Sequence, residues 1–241
     1  MLDAVLELLY PPACLLCRRR LVPSGQKSAV WCEACDVLMP AITPPVCQHC
    51  GLAVAGAYDA RVRCARCQHH PWAFDRARAP FLYLGGIREA IHAFKYEKHW
   101  RIGAWLASRM AHIAKSDADM RAANLITAVP MHWVKQRVKG WNPAAALAQH
   151  VAAQVSIPFQ AAALRRRRWT PTQTALTARQ RARNVQNAFR ASPRIAAQQS
   201  ILLIDDVFTS GATAQACAHA LREAGAAHVW VLTAACAPVP S

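Results

Sequence analysis

The stretch from Ile201 to Leu221 constrains the fold more than any other part of the chain. Ile201 to Ile204 is a fully apolar run of mostly branched residues, the pattern of a strand buried on both faces in a parallel sheet. Asp205 and Asp206 follow at its carboxyl end, and then a small, hydroxyl-rich run of Thr209, Ser210, Gly211, Ala212 and Thr213. Ala216, Cys217, Ala220, Leu221 and Ala224 recur at helical spacing beyond it, and Gly225 stands where a helix would stop. A strand, a tight loop and a helix N-terminus form an anion site, because unbonded backbone N–H groups and the helix dipole both favour a phosphate. Gly211 lets the backbone approach closely, and Thr209, Ser210 and Thr213 add hydroxyls. Two adjacent carboxylates do not suit a phosphate. They suit a pair of vicinal hydroxyls, directly or through a hard cation such as Mg²⁺. One phosphate and one diol describe a ribose 5-phosphate. Helix capping alone needs one Asp, not two.

This stretch resembles the signature with which type I phosphoribosyltransferases bind phosphoribosyl pyrophosphate (PRPP): a hydrophobic strand, Asp-Asp, then a Thr-Thr-Gly-type loop. Here the loop reads Thr209-Ser210-Gly211. Ser210 in place of Thr keeps the hydroxyl, and Phe208 is bulkier than the small aliphatic residue usual there. The resemblance implies PRPP with Mg²⁺ on Asp205, Asp206, Thr209, Ser210, Gly211, Ala212 and Thr213.

With 241 residues, of which 54% are hydrophobic, the chain has room for one large domain or two smaller ones with a real core. Met1 to Tyr10 is too short for a secretion signal and carries Asp3 and Glu7, and no uncharged apolar run reaches membrane-spanning length. The expectation is a cytoplasmic protein without membrane insertion. The net charge of +16 is unevenly placed. Residues 1–75 hold seven Lys/Arg and six Asp/Glu, whereas residues 76–241 hold 22 and seven. Between Asp119 and Asp205 there are 13 basic residues and no acidic one. Such a region draws in polyanions, either a phosphate-rich metabolite or a nucleic acid.

Four Cys-x-x-Cys knuckles occupy the first part of the chain: Cys14/Cys17, Cys32/Cys35, Cys47/Cys50 and Cys64/Cys67. Each presents two thiolates to one tetrahedral ion, and two knuckles complete a Cys₄ site of zinc-ribbon spacing. Two zinc ions are expected. An iron–sulfur cluster would also take these thiolates. Disulfides are disfavoured without a secretion signal, and four knuckles in series do not fit a thioredoxin-type pair. The spacing leaves open whether the knuckles pair sequentially or interleave. His49, His69 and His70 lie beside them but are not needed as ligands. Cys217 and Cys236 stand apart and read as small buried hydrophobes.

Residues 68–80 read as a junction, Phe81 to Leu84 as a strand, Gly85-Gly86 as a turn, and Ile87 to Phe94 as a helix followed by another at about 103–115. The intervening Lys95 to Trp100 segment would either hold a diphosphate or pack Tyr96 and Trp100 inward. Leu125 to Val129 reads as a second strand, followed by a basic loop with Lys135, Arg137 and Lys139 and an Ala-rich helix at about 143–155 with Pro143 in its first turn. Such strand–loop–helix units grow a parallel sheet whose ligands sit at the strands' carboxyl ends. Lys95 and Arg137 are the candidate cations for a leaving diphosphate. His132 would serve as an acid, a base or a structural residue. Arg165, Arg166, Arg167 and Arg168, ending in Trp169, mix cations with an aromatic ring as single-stranded nucleic acid requires. A basic flap over the phosphate pocket is the other reading. Leu176 to Phe189 reads as a helix carrying Arg179, Arg181 and Arg183, and Val229 to Ala235 as the last strand.

The whole pattern resembles the ComF family. The resemblance rests on the knuckles, Phe-Lys-Tyr (94–96), Val-Pro-Met-His (129–132), Lys-Gly-Trp-Asn (139–142), Thr-Ala-Arg-Gln-Arg-Ala-Arg-Asn-Val (177–185) and the final loop. It implies a type I phosphoribosyltransferase parallel sheet with helices on both faces, residues 76–241, preceded by a double zinc ribbon with a short N-terminal helix, residues 1–75. It further implies a role in natural competence or utilisation of external DNA, with single-stranded DNA and a competence helicase as partners. Gly140-Trp141-Asn142-Pro143 departs from the family's Gly-Phe-Asn-Gln. The motif does not name an acceptor base, and an active transferase of nucleobase metabolism is the alternative.

Overall fold

A computed structural model describes residues 13–21, 30–54, 62–132, 137, 140–167 and 187–238. The proposed N-terminal helix, Arg168, Trp169 and most of the segment from Leu176 lie outside these residues.

The longest strands are the two most apolar segments of the chain, β6 (Ser200–Phe208) and β7 (His228–Cys236), which pair in parallel along most of their length. β3 (Leu125–Ala128) flanks β6, and β1 (Arg76–Arg78) and β2 (Phe81–Leu82) flank β7, all in parallel, giving a sheet in the order β1-β7-β6-β3 with β2 beside β7. The two-residue period of a strand explains the continuous apolar run. Leu202 and Ile204 face one core cluster, while Ile201 and Leu203 face another, and all four are completely buried. The first cluster is covered by α3 (Gly85–Glu97), α4 (Trp100–Ser116) and α6 (Pro143–Val155). The second is covered by α8 (Ala212–Glu223), through Cys217 and Leu221. The expected parallel sheet with helices on both faces is therefore present, and Cys217 and Cys236 are buried within it.

Helix boundaries follow local chemistry. Asn142 caps α6, its Oδ1 accepting from the Ala144 amide at 3.1 Å, and Pro143 sits in the first turn, where its missing N–H costs nothing. α3 begins at Gly85, so the expected Gly-Gly turn is the first turn of the helix, and it runs on past Phe94 to include Lys95 and Tyr96. It stops where Lys98 takes a left-handed conformation with φ 56°. Short helices α5 (Ala118–Arg121) and α7 (Pro193–Ala196) connect strands.

The Cys-rich segment straddles the edge of the sheet. Its only described helices are α1 (Glu33–Val37) and α2 (Ala65–His69), each opening after a knuckle cysteine. Cys14, Trp31, Cys35 and Met39 pack into the α3/α4 cluster, whereas Cys47, Cys50 and Cys67 pack into the α8 cluster. Between them the Ala77 amide donates to the His49 carbonyl at 2.7 Å, and the Ile42 amide to the Pro80 carbonyl at 2.9 Å. These bonds occupy the free edge of β1 and its extension, an edge otherwise open to pairing with another chain.

β4 (Leu164–Arg166) and β5 (Phe189–Ala191) form a separate antiparallel pair beside α8. The helix expected to run to Phe189 has ended before it, because Phe189 and Ala191 are strand residues buried against that helix. No helix among the described residues is long and apolar enough to cross a membrane.

Candidate functional site

Asp205 and Asp206 do not follow the strand, as their polarity suggests; they lie within β6, which continues to Phe208. β3 pairs with β6 only as far as Ile204, while β7 continues beside it, Asp205 opposite Thr233 and Phe208 opposite Cys236. The carboxylates thus stand where one neighbour has ended, at the carboxyl edge of the sheet, the ligand position of open α/β folds.

Thr209 and Ser210 lead to Gly211, at φ 79°, from which α8 starts with no side-chain cap. The Ala212 amide reaches the Ser210 hydroxyl at 3.4 Å. Glycine is required at 211 twice over, by its left-handed backbone and by space, since a Cβ would stand 2.7 Å from the Trp72 ring and 2.8 Å from Phe208. A small cavity beside the loop is lined by Asp205, Thr209, Gly211, Thr213 and Thr233. Thr233 is a contributor that sequence reasoning missed; its signal is a lone hydroxyl inside an otherwise apolar strand.

Burial, and then the charge of Asp206, push the Asp205 carboxyl up to about 7, against hydrogen bonding and the cations nearby. Asp206 forms an ion pair with Lys95, Nζ to Oδ1 at 2.7 Å. Lys95 is therefore brought to the carboxylates from the end of α3. Tyr96 and Trp100, the two aromatics read as packing inward, are 61% and 52% exposed. Arg137 is exposed in a helical turn and His132 is buried.

The basic run is split by the pleat. Arg165 and Arg167 are exposed, whereas Arg166 turns inward, its guanidinium 5.4 Å from the Phe189 ring centroid and its charge felt at Asp205. A strand's period of two forbids three consecutive residues from sharing one face. Arg166 consequently faces the carboxylate side rather than joining a continuous nucleic-acid surface. Across the ribbon, exposed Arg190 stands directly opposite Arg165.

The cysteines gather in sequential pairs of knuckles: Cys14, Cys17, Cys32 and Cys35 in one cluster, and Cys47, Cys50, Cys64 and Cys67 in the other, the sulfurs of each within 4.8 Å of one another. Cys17 and Cys32 sulfurs are 3.5 Å apart and those of Cys50 and Cys64 3.6 Å. Metal–sulfur bonds of about 2.3 Å in a tetrahedral site place sulfurs roughly 3.8 Å apart. The sets fit zinc in spacing, number and softness. The backbone helps, with the Cys64 amide pointing at the Cys47 sulfur at 3.3 Å. Hydrogen bonding from Cys50 draws the Cys47 thiol down to about 3, and the same contact with Cys47 pushes Cys50 up. Crowded sulfurs competing for protons in this way are what a dication resolves. The interleaved pairing is excluded, and His49 lies outside the sulfur cluster, stacked on Phe74 at 5.1 Å.

Arg66, between the ligands Cys64 and Cys67, was not singled out in the sequence. Its Nη1 donates to the Thr209 carbonyl at 3.4 Å, and its guanidinium lies 5.6 Å from the Trp72 centroid and 5.3 Å from that of Phe208. Phe208, large where small residues are usual, is buried in an aromatic group with Trp72 and Phe74 that joins the ribbon to the loop.

Comparison with known proteins agrees with this organisation. Residues 5–68 match the double zinc ribbon domain family. The DNA utilization protein YhgH of Salmonella typhimurium is 29% identical over 232 residues, covering 93% of this chain and 98% of its own. That of Escherichia coli K12 is 28% identical over 233 residues with the same coverage. Competence protein F of Haemophilus influenzae is 28% identical over 206 residues, 83% of this chain and 87% of its own. Among solved structures, the glutamine PRPP amidotransferase from B. subtilis complexed with ADP and GMP aligns with a TM-score of 0.38 at 19% identity. That alignment covers 54% of this chain, which spans about a quarter (26%) of the amidotransferase.

Fold and site together define an α/β protein whose parallel sheet carries a double zinc ribbon across its edge. Over most of its length the chain is a homologue of the DNA utilization and competence proteins, as the ComF resemblance implied.

Proposed function

We propose that this protein binds PRPP with Mg²⁺ through a phosphoribosyltransferase-like site and acts, in the cytoplasm, in the utilisation of external DNA or natural competence, handling single strands. The observation that carries the ligand is the carboxylate pair standing beyond the end of β3, followed at once by an uncapped helix N-terminus. Asp205 and Asp206 would take the ribose diol and its metal. Thr209, Ser210, Gly211, Ala212 and Thr213 would take the 5-phosphate. Lys95 and Arg137 would steady the diphosphate, and zinc would hold the two Cys₄ clusters as structural ions.

The DNA role is supported by the relatives' names and by Arg165 and Arg190. Like charges directly opposite across two strands destabilise the pair, which makes sense when an anion lies over them. Active transfer to a nucleobase is the second reading, favoured by the position of Lys95 at the carboxylates.

Thermal unfolding tests the ligand. A ligand at about 100 times its Kd adds roughly 2.7 kcal/mol, so Mg·PRPP should raise Tm measurably, and Asp205→Asn with Asp206→Asn should abolish the rise. An unshifted parent protein would refute the reading. Pyrophosphate release across a panel of bases, with and without single-stranded DNA, separates an enzyme from a binding module.

A further inference from the structure

We infer that Arg66 is a positioning residue that couples the second Cys₄ cluster to the loop Thr209–Thr213, so that metal in the ribbon and anion on the loop strengthen each other. The inference rests on the PRPP reading above.

Arg66 belongs to a five-residue helix bounded by two ligands, Cys64 and Cys67. A segment this short has no helical stability of its own. Its backbone is held by those two sulfurs and by the amide contact of Cys64 to the Cys47 sulfur. The metal therefore sets where the Arg66 side chain starts. That side chain ends between Trp72 and Phe208, with one N–H on the Thr209 carbonyl. Its Nε and Nη2 are buried without an acceptor among the described residues. The guanidinium is held by stacking and one bond, a geometry that a shift of the knuckle would undo.

The wall it supports is the wall of the anion loop. Trp72 lies against Gly211, whose backbone begins α8. The segment after the knuckle is fastened to the same helix. Gln215 accepts from the Ala73 amide at 2.7 Å, its amide reaches the Pro71 carbonyl at 3.3 Å, and the Arg222 Nε donates to the Ala73 carbonyl at 3.3 Å. Metal, Arg66, Trp72, loop and helix thus form one contiguous packed unit. The other cluster, Cys14 to Cys35, packs on the opposite face of the sheet and makes no such contact with the loop among the described residues.

Coupling between two ligands is reciprocal and typically amounts to about 5- to 150-fold in affinity. The full-length, zinc-loaded protein is challenged with a chelator, and release is followed site by site through alkylation of the freed cysteines and mass spectrometry. Saturating Mg·PRPP should slow exposure of Cys47, Cys50, Cys64 and Cys67 at least fivefold and leave that of Cys14, Cys17, Cys32 and Cys35 nearly unchanged. Arg66→Met keeps an apolar chain between the two rings and all eight ligands; it should still bind two zinc ions, yet its protection by Mg·PRPP should fall below twofold. Arg66→Lys keeps the charge without the planar fork and should recover only part.

Equal release with and without PRPP, in a protein whose Tm shows that PRPP binds, overturns the coupling and leaves the ligand reading intact. Full protection in Arg66→Met, or full recovery in Arg66→Lys, overturns the role of the guanidinium. Absence of both thermal shift and protection removes the ligand reading and the coupling together.

Discussion

Lys95 at the end of α3 and Asp206 near the end of β6 meet at 2.7 Å, Nζ to Oδ1. Burial works against the ammonium, but the Asp206 charge and hydrogen bond outweigh it and hold the Lys95 pKa above its ordinary value. The contact ties a helix on one face of the sheet to the strand end that carries both carboxylates. Removing one partner leaves the other poorly compensated. Lys95→Met should therefore lower stability by about 1–3 kcal/mol. Adding Asp206→Asn should return part of that loss, read as a non-additive double-mutant cycle in denaturant titrations.

Asp205 gives a pH dependence of defined sign. Its folded pKa, about 7, lies above the ordinary 3.8, so the folded state keeps a proton that the unfolded state releases. Stability should fall as pH rises from about 4 to about 7 and level off above. Asp205→Asn should remove this fall and be more stable than the parent at about pH 8, as groups placed for binding often are when neutralised. Mg·PRPP needs the ionised carboxylate, so its affinity should strengthen through the same range, measured by calorimetry with proton release.

Gly211→Ala should cost about 1–3 kcal/mol and abolish the Mg·PRPP shift. The added methyl must take φ 79° and meets Trp72 and Phe208 at under 3 Å. Wild-type affinity in a folded Gly211→Ala protein would show that the loop's close approach to the ring wall is unnecessary.

Metal analysis should find two zinc ions per chain, one per Cys₄ cluster. Without added ligand, chelators should strip the first cluster before the second, because Cys17 is exposed whereas Cys47, Cys50 and Cys67 are buried in the sheet's core cluster. Cys47→Ser should lower Tm more than Cys17→Ser. Iron in place of zinc would change the ribbon assignment.

Single-stranded DNA should bind with a steep salt dependence. Arg165→Ala with Arg190→Ala should weaken binding across all sequences and reduce the slope of log K against log salt by roughly 1. Arg166→Ala should instead cost stability, because that side chain is packed on Phe189. Fluorescence anisotropy at several salt concentrations separates the two outcomes.

Local pattern carried much of this molecule. The run Ile201 to Ile204 could only be a strand buried on both faces, Asn142-Pro143 could only open a helix, and four knuckles in series called for metal. Each is a short-range rule acting within a few residues, so the sequence displays it directly. Where the rules are short-range but the outcome depends on a neighbour, the reading went astray. Asp205 and Asp206 read as loop because charge disfavours strands, yet pairing with β7 holds them extended. Arg165 to Arg167 read as one basic face until pairing with β5 imposed a pleat.

The residues alone therefore determined which chemistry is present: eight thiolates, two carboxylates, a hydroxyl-rich loop and an acid-free basic region. Only the tertiary structure decided what stands together. It paired the knuckles in sequence, laid the ribbon across both faces of the sheet edge, brought Lys95 to Asp206, and set Arg66 against Thr209 across 143 positions of chain. Contacts at such separations are selected by the packing of whole faces rather than by local preference, and no short window of sequence contains the information that selects them.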